Sequence, residues 1–161
     1  GVYAYCFDSP TLDVLDLGGA RATSSDFYSP DDTASVWQSV TVAETELSRD
    51  LFRRVSEADA ECLSDAYLEL LEPVAETGQF SDIGVDVTPM EVNSGADETV
   101  AYRMAITAST PEGDSRAEAY LLFLRNDGLV SYVQLVSELP VLAVDVELLA
   151  DVVVGRMERA L

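Results

Sequence analysis

Two cysteines, 30 carboxylates and nine arginines are the residues whose chemistry must be placed, and neither histidine nor lysine accompanies them. Without histidine the commonest general base and the commonest transition-metal ligand are both missing. A Ser–His–Asp triad or an ordinary zinc site therefore cannot be assembled. What remains for catalysis is carboxylate chemistry. Asp31-Asp32 and Asp97-Glu98 are the densest pairs, both in stretches read as loop. A glycosidase needs one carboxyl kept protonated and a second ionised at a fixed separation, and nothing in the spacing selects such a pair. Weak calcium binding over residues 93–98 suits oxygen-rich loops better, yet no stretch follows the Asp-x-Asp/Asn-x-Asp/Asn-Gly pattern. Solvated loop charge is the plainer reading of both pairs. Asp16-Leu17-Gly18-Gly19 lacks the lysine and the spacing of a phosphate loop. The expectation is a protein that is not an enzyme, with no catalytic residue, metal ligand or cofactor.

Cys6 and Cys62 match no Cys-x-x-Cys spacing, so neither a redox pair nor a zinc knuckle is indicated. Cys6 sits between Tyr5 and Phe7, and Cys62 falls inside a long helical pattern. One bridge tying the N-terminal segment to that helix is compatible with this spacing. Two buried thiols packed as small apolar groups are the alternative. The bridge is the expectation taken forward, because an irregular, untethered N-terminal segment loses loop entropy for few regular hydrogen bonds. Such a bridge belongs outside the reducing cytoplasm. Trp37, Tyr102, Tyr120, Phe123 and Tyr132 could line an apolar pocket, although strand aromatics are more often simply core.

The elements that must carry these residues follow from the patterning. Residues 1–35 read as irregular: Ser9-Pro10 with Leu12, Leu15 and Leu17 suggests a short helix ended by Gly18-Gly19, followed by a polar loop over 23–33. Residues 36–42 alternate with period two and form a strand. Leu47, Leu51, Val55, Ala58, Cys62, Ala66 and Leu70 then define one amphipathic helix over about 45–71, with Cys62 facing the core and Pro73 as the stop. Four further strands are expected over 83–92, 99–109, 116–125 and 129–136, with Pro89 marking an edge or a bulge. Asn126-Asp127-Gly128 is the strongest hairpin signal, since these residues tolerate positive φ. Asp145 then caps a last amphipathic helix on Leu148, Leu149, Val152, Val153, Met157 and Leu161.

In the strand over 116–125, Ala119, Leu121 and Phe123 point one way and Tyr120, Leu122 and Leu124 the other, so both sheet faces are apolar. The expected fold class is α+β: one domain with an antiparallel sheet of about five strands, a long helix after the first strand and a C-terminal helix. Helices on opposite faces would make an α/β/α sandwich, and a ligand or partner covering the second face is the rival arrangement.

The chain has 161 residues, 48% hydrophobic and 24% charged, with a formal net charge of −21. That is enough for one ordinary core and too apolar for a disordered acidic chain. A field of this sign repels phosphate, so nucleic acid is excluded as a partner. The acidity speaks first to solubility, from adaptation to high salt or from drift in a high-GC genome; cation binding is the alternative purpose. No stretch approaches the ~18 apolar residues of a membrane span. No basic segment followed by an apolar stretch opens the chain at Gly1, so any signal peptide is expected to have been removed, and a longer natural precursor is compatible with this start.

The order of elements resembles a known family. Ser39-Val40-Thr41-Val42-Ala43-Glu44 running into Ser48 and on to Cys62-Leu63 gives a strand and then a helix carrying a cysteine, followed by strand hairpins and an apolar C-terminal helix. Over residues 36–161 this resembles the extracellular sensor domain of a mycobacterial membrane Ser/Thr kinase (the PknH C-terminal family), the related secreted lipoproteins of actinobacteria and, more distantly, PsbP-like sandwiches. The resemblance implies a non-catalytic, extracytoplasmic sensor or ligand-binding domain, secreted or at the cell surface, with a membrane or lipid tether outside this segment. Its partner would be an unidentified small molecule or protein. The kinase sensor is expected to carry two disulfides, whereas this chain has cysteines for one, and no ligand residues are carried over. The alternative reading is a carrier of an apolar small molecule or lipid in a helix-grip or NTF2-like cavity.

Overall fold

The computed structural model describes residues 5–8 and 17–159. Its described residues form an α+β fold around one antiparallel sheet: β1 (Arg21–Thr23), β2 (Phe27–Tyr28), β3 (Ala34–Val42), α1 (Thr45–Ser56), α2 (Ala60–Ala75), β4 (Ser81–Met90), β5 (Glu98–Thr110), β6 (Gly113–Asn126), β7 (Leu129–Ser137) and α3 (Ala143–Glu158). The sheet has seven strands in the order β1-β3-β7-β6-β5-β4, with β2 also paired to β3. Strands β4 to β7 are a meander. Its last member returns beside β3 in the register Val36↔Leu135, Ser39↔Tyr132 and Val42↔Leu129. The helix pair α1–α2 carries the chain from β3 to the far edge, β4.

Five of these strands lie where the period-two alternation predicts them. The other two are additions: β1 and β2 are three and two residues long and fully exposed. They carry no alternation to read. Pairing with β3 defines them, through Arg21↔Thr41 and Phe27↔Val36. Gly19 makes the close approach to that edge feasible, since a Cβ there would lie 1.6 Å from the Val42 carbonyl oxygen. The expected short helix over 9–17 lies largely outside the described residues. The Asp127 turn occurs as expected, with φ +48° between Asn126 and Leu129.

The expected single helix over 45–71 is two helices. Asp59 takes extended φ/ψ and its carboxylate accepts from the Glu61 N–H at 3.0 Å, starting α2 afresh. The break re-phases the apolar stripe. Leu51, Phe52 and Val55 face the core from α1, whereas Leu63 and Tyr67 do so from α2. Cys62 therefore stands beside the core-facing row, half-buried, and Leu47 and Leu70 of the expected stripe are exposed. Pro73 does not end the helix. It sits inside α2, which runs on to Ala75.

Each sheet face has its own core. On one, Leu51, Phe52, Val55, Leu63 and Tyr67 meet Tyr102, Met104, Leu121, Phe123 and Tyr132. On the other, Val146, Ala150, Val153 and Met157 of α3 meet Tyr120, Leu122, Leu124, Val133 and Leu135. The alternation read in β6 is thus the actual division between faces. At the β4 edge, the Val87 N–H donates to the Ser64 hydroxyl at 2.9 Å, so α2 pairs an amide that would otherwise be an open sheet edge. Among the described residues no helix is long and apolar enough to cross a membrane.

Candidate functional site

The cysteine chemistry resolves first. Cys6 and Cys62 form a disulfide, with Cα atoms 5.8 Å apart, joining the turn at Tyr5–Asp8 to the first turn of α2. Phe7, next to it, is buried against Phe123 in an edge-to-face contact at 5.7 Å. Arg54 strengthens the tether by donating to the Asp8 carbonyl while pairing with Asp50 at 2.6 Å. A shallow cleft of about 370 Å³ lies beside the bridge, lined by Tyr5, Asp59, Glu61, Cys62, Asp65 and Glu69.

The aromatic set divides between the two faces. Trp37, Tyr132 and Phe123 run across β3, β7 and β6, with centroids 5.7 and 4.9 Å apart, and Phe7 completes the row. Tyr102 shares this face and its hydroxyl donates to the Val55 carbonyl, fastening β5 to α1. Tyr120 lies on the opposite face under α3. Trp37, Tyr132, Phe123 and Phe7 thus pack ring to ring in one core, and Tyr120 belongs to the other. Tyr102 also borders a surface cleft of about 410 Å³ formed with Ser56, Met90, Val92, Thr99 and Val100.

The carboxylate pairs are tied into local structure. Asp31 accepts from the hydroxyls of Ser29 at 2.7 Å and Thr33 at 2.9 Å, and these bonds hold its carboxyl below the usual range. Asp97 accepts from the Asp127 N–H at 2.9 Å, and both Asp97 and Glu98 pair with the buried Arg125, at 3.6 and 2.8 Å. Their charge closes the β6–β7 turn. Among the described residues no group of acidic, cysteine or histidine side chains could hold a metal ion.

One buried carboxylate escapes sequence reasoning. Glu118 of β6 is 5% exposed, accepts from Arg103 of β5 and Arg116, and receives the Tyr120 hydroxyl at 2.5 Å. The Arg103 hydrogen bond outweighs burial and holds the Glu118 carboxyl below the usual carboxylate range. Burial first, then the neighbouring carboxylate, pushes the Tyr120 phenol up. Tyr120 also lies 3.3 Å from the Val141 carbonyl, so the network anchors the segment leading into α3. Only the β5–β6 register, which brings Arg103 beside Tyr120, assembles it.

Above this anchor lies the surface with the clearest unmet demand. Leu139, Leu142, Val144, Leu148 and Val152 are each more than half exposed. In α3 the buried residues are Val146, Ala150, Val153, Val154 and Met157, not the Leu148 and Val152 of the expected stripe. The helix begins at Ala143 after Leu142 without a side-chain cap, so Asp145 lies in its first turn instead of capping it. Val144, Leu148 and Val152, four residues apart, form a second apolar row turned to solvent. The sequence signal was present in the excess of apolar residues around α3, since a helix with one covered face needs only one stripe. No protein-family model and no curated protein matches the chain.

Proposed function

We propose that this is a non-catalytic, extracytoplasmic binding domain whose binding surface is the outer face of α3. The observation that carries the reading is the row Val144, Leu148 and Val152, which is 53%, 58% and 51% exposed on a helix whose other side is fully used by the sheet. Exposed apolar residues gathered on one regular element mark an interaction surface more often than residues scattered singly. The Cys6–Cys62 bridge supports a location outside the reducing cytoplasm. In this reading the domain acts as the resembled sensor domains do, by engaging something and not by transforming it. A membrane or lipid tether outside this segment belongs to the same proposal.

The variant L148Q/V152Q tests the binding face, because a docking row contributes nothing to the domain's own core. It is expected to fold with stability within about 0.5 kcal/mol of the parent, as exposed substitutions do. Loss of folding would make the row structural and overturn the assignment. Location is tested by adding protease to intact cells that make the tagged full-length protein. Cleavage of this domain is expected, and complete protection until lysis would overturn an extracytoplasmic placement.

A further inference from the structure

The occupant of the α3 face can be narrowed by charge, granted the reading of that face as a binding surface. Val144, Leu148 and Val152 form its apolar row, and Leu142, just ahead of the helix, is exposed as well. By helical period, Glu147, Asp151 and Glu158 run along one flank of that row, and Asp145 sits on the other near the N-terminal end. Arg156 lies on this second flank near the C-terminal end, and Arg159 reaches back beside Gly155 at the end of the row, so the acidic charge is concentrated on the flank of Asp151 and Glu158. A second copy of the chain is a poor occupant. Two chains of net charge −21 repel. An antiparallel two-fold pairing of α3 faces would also lay the row Glu147, Asp151 and Glu158 on its own counterpart. A lipid surface is poorly served too, because interfacial helices border their apolar side with Lys or Arg and anionic headgroups would be repelled here.

We infer that the outer face of α3 receives an amphipathic helix of a second protein, with Lys or Arg bordering its apolar stripe. Ridges-into-grooves packing would seat apolar side chains of that helix along Val144, Leu148 and Val152. Its basic flank would meet Asp151 and Glu158, speeding association and fixing orientation.

The test uses the isotopically labelled, disulfide-intact domain and three synthetic helical peptides of about 20 residues, enough to span the whole face. They share one leucine stripe and differ only at the bordering positions: all Lys, all Gln or all Glu. The Lys peptide is expected to shift the α3 amides and to bind about tenfold or more tightly than the Gln peptide. L148Q/V152Q should weaken it by about tenfold, and D151N/E158Q by roughly threefold with a flatter salt dependence. Equal α3 shifts from the Lys and Gln peptides would keep the binding face and overturn the basic partner. Silence of α3 towards all three peptides would remove the binding face itself. Shifts spread over the acidic surface and indifferent to L148Q/V152Q would reduce the effect to general attraction and overturn the inference. So would a dimer in sedimentation equilibrium, or flotation with phosphatidylcholine–phosphatidylglycerol vesicles, if either is abolished by L148Q/V152Q.

Discussion

Glu118 shows how a charged residue can be buried in a sheet when guanidiniums and a phenol surround it. Its carboxylate meets two guanidiniums and a phenol, and both guanidiniums keep access to solvent. E118Q is expected to destabilise the fold by about 1–2 kcal/mol near neutral pH, read from urea unfolding, because it weakens charge-assisted hydrogen bonds without stranding a buried charge. The pH dependence follows from the sign of the shift. Its folded pKa lies below the ordinary value of 4.5, so its stabilisation is present above that value and lost as pH falls through the folded pKa. The parent's acid limb below pH 4.5 should therefore be steeper than that of E118Q. Identical limbs would show that the carboxylate is not stabilised by folding. The disulfide acts at the same scale but through the unfolded chain. Closing a separation of 56 residues contributes roughly 3–5 kcal/mol in the chain-entropy account. C6S/C62S should lower the urea midpoint accordingly, and thiol titration of the denatured, unreduced parent should find no free thiol. Two reactive thiols in oxidised protein would remove the bridge.

Among the elements, α2 adds two hydrogen-bonding devices to its packing and its bridge, the Asp59 cap that starts it and the Ser64 hydroxyl that binds the sheet edge. Ser64 also donates to the Ala60 carbonyl at 2.9 Å, so one hydroxyl serves helix and strand together. S64A leaves the Val87 N–H without its acceptor, at a cost of about 1–2 kcal/mol. Hydrogen exchange at the Val87 amide should accelerate more than at Leu122 in the centre of the sheet. Uniform acceleration of both amides would mean that the bond reports only global stability. The two helices also explain why one continuous pattern misled. Apolar residues at spacings of three and four persist across Glu57-Ala58-Asp59, and only the Asp59 cap distinguishes two helices from one. The edge strands β1 and β2 are the opposite case, short segments with no pattern that exist because β3 offers an open edge.

For the whole molecule the dominant quantity is charge. With 30 acidic residues against nine arginines, self-repulsion opposes compactness, and moderate salt should raise the melting temperature by a few degrees. A melting temperature unchanged between low and moderate salt would show that the charges are balanced locally, as they are around Arg125. Local sequence pattern is enough for the α+β class, the core strands and the opposite-facing rows of β6. These follow from local periodicity, and a period-two pattern with apolar residues on both faces demands cover on both. The sequence also made the bridge available, because two cysteines in one chain allow a single pairing. The tertiary structure alone decided which stripe of α3 is inside. A helix with two apolar rows on opposite sides satisfies either orientation locally, and only packing of Val146, Ala150, Val153 and Met157 on the sheet leaves Leu148 and Val152 facing water. It alone assembled the Glu118 network as well, since Arg103 and Glu118 are 15 residues apart and meet only through strand register. Local pattern specifies what an element needs to bury, and long-range pairing selects what it buries against.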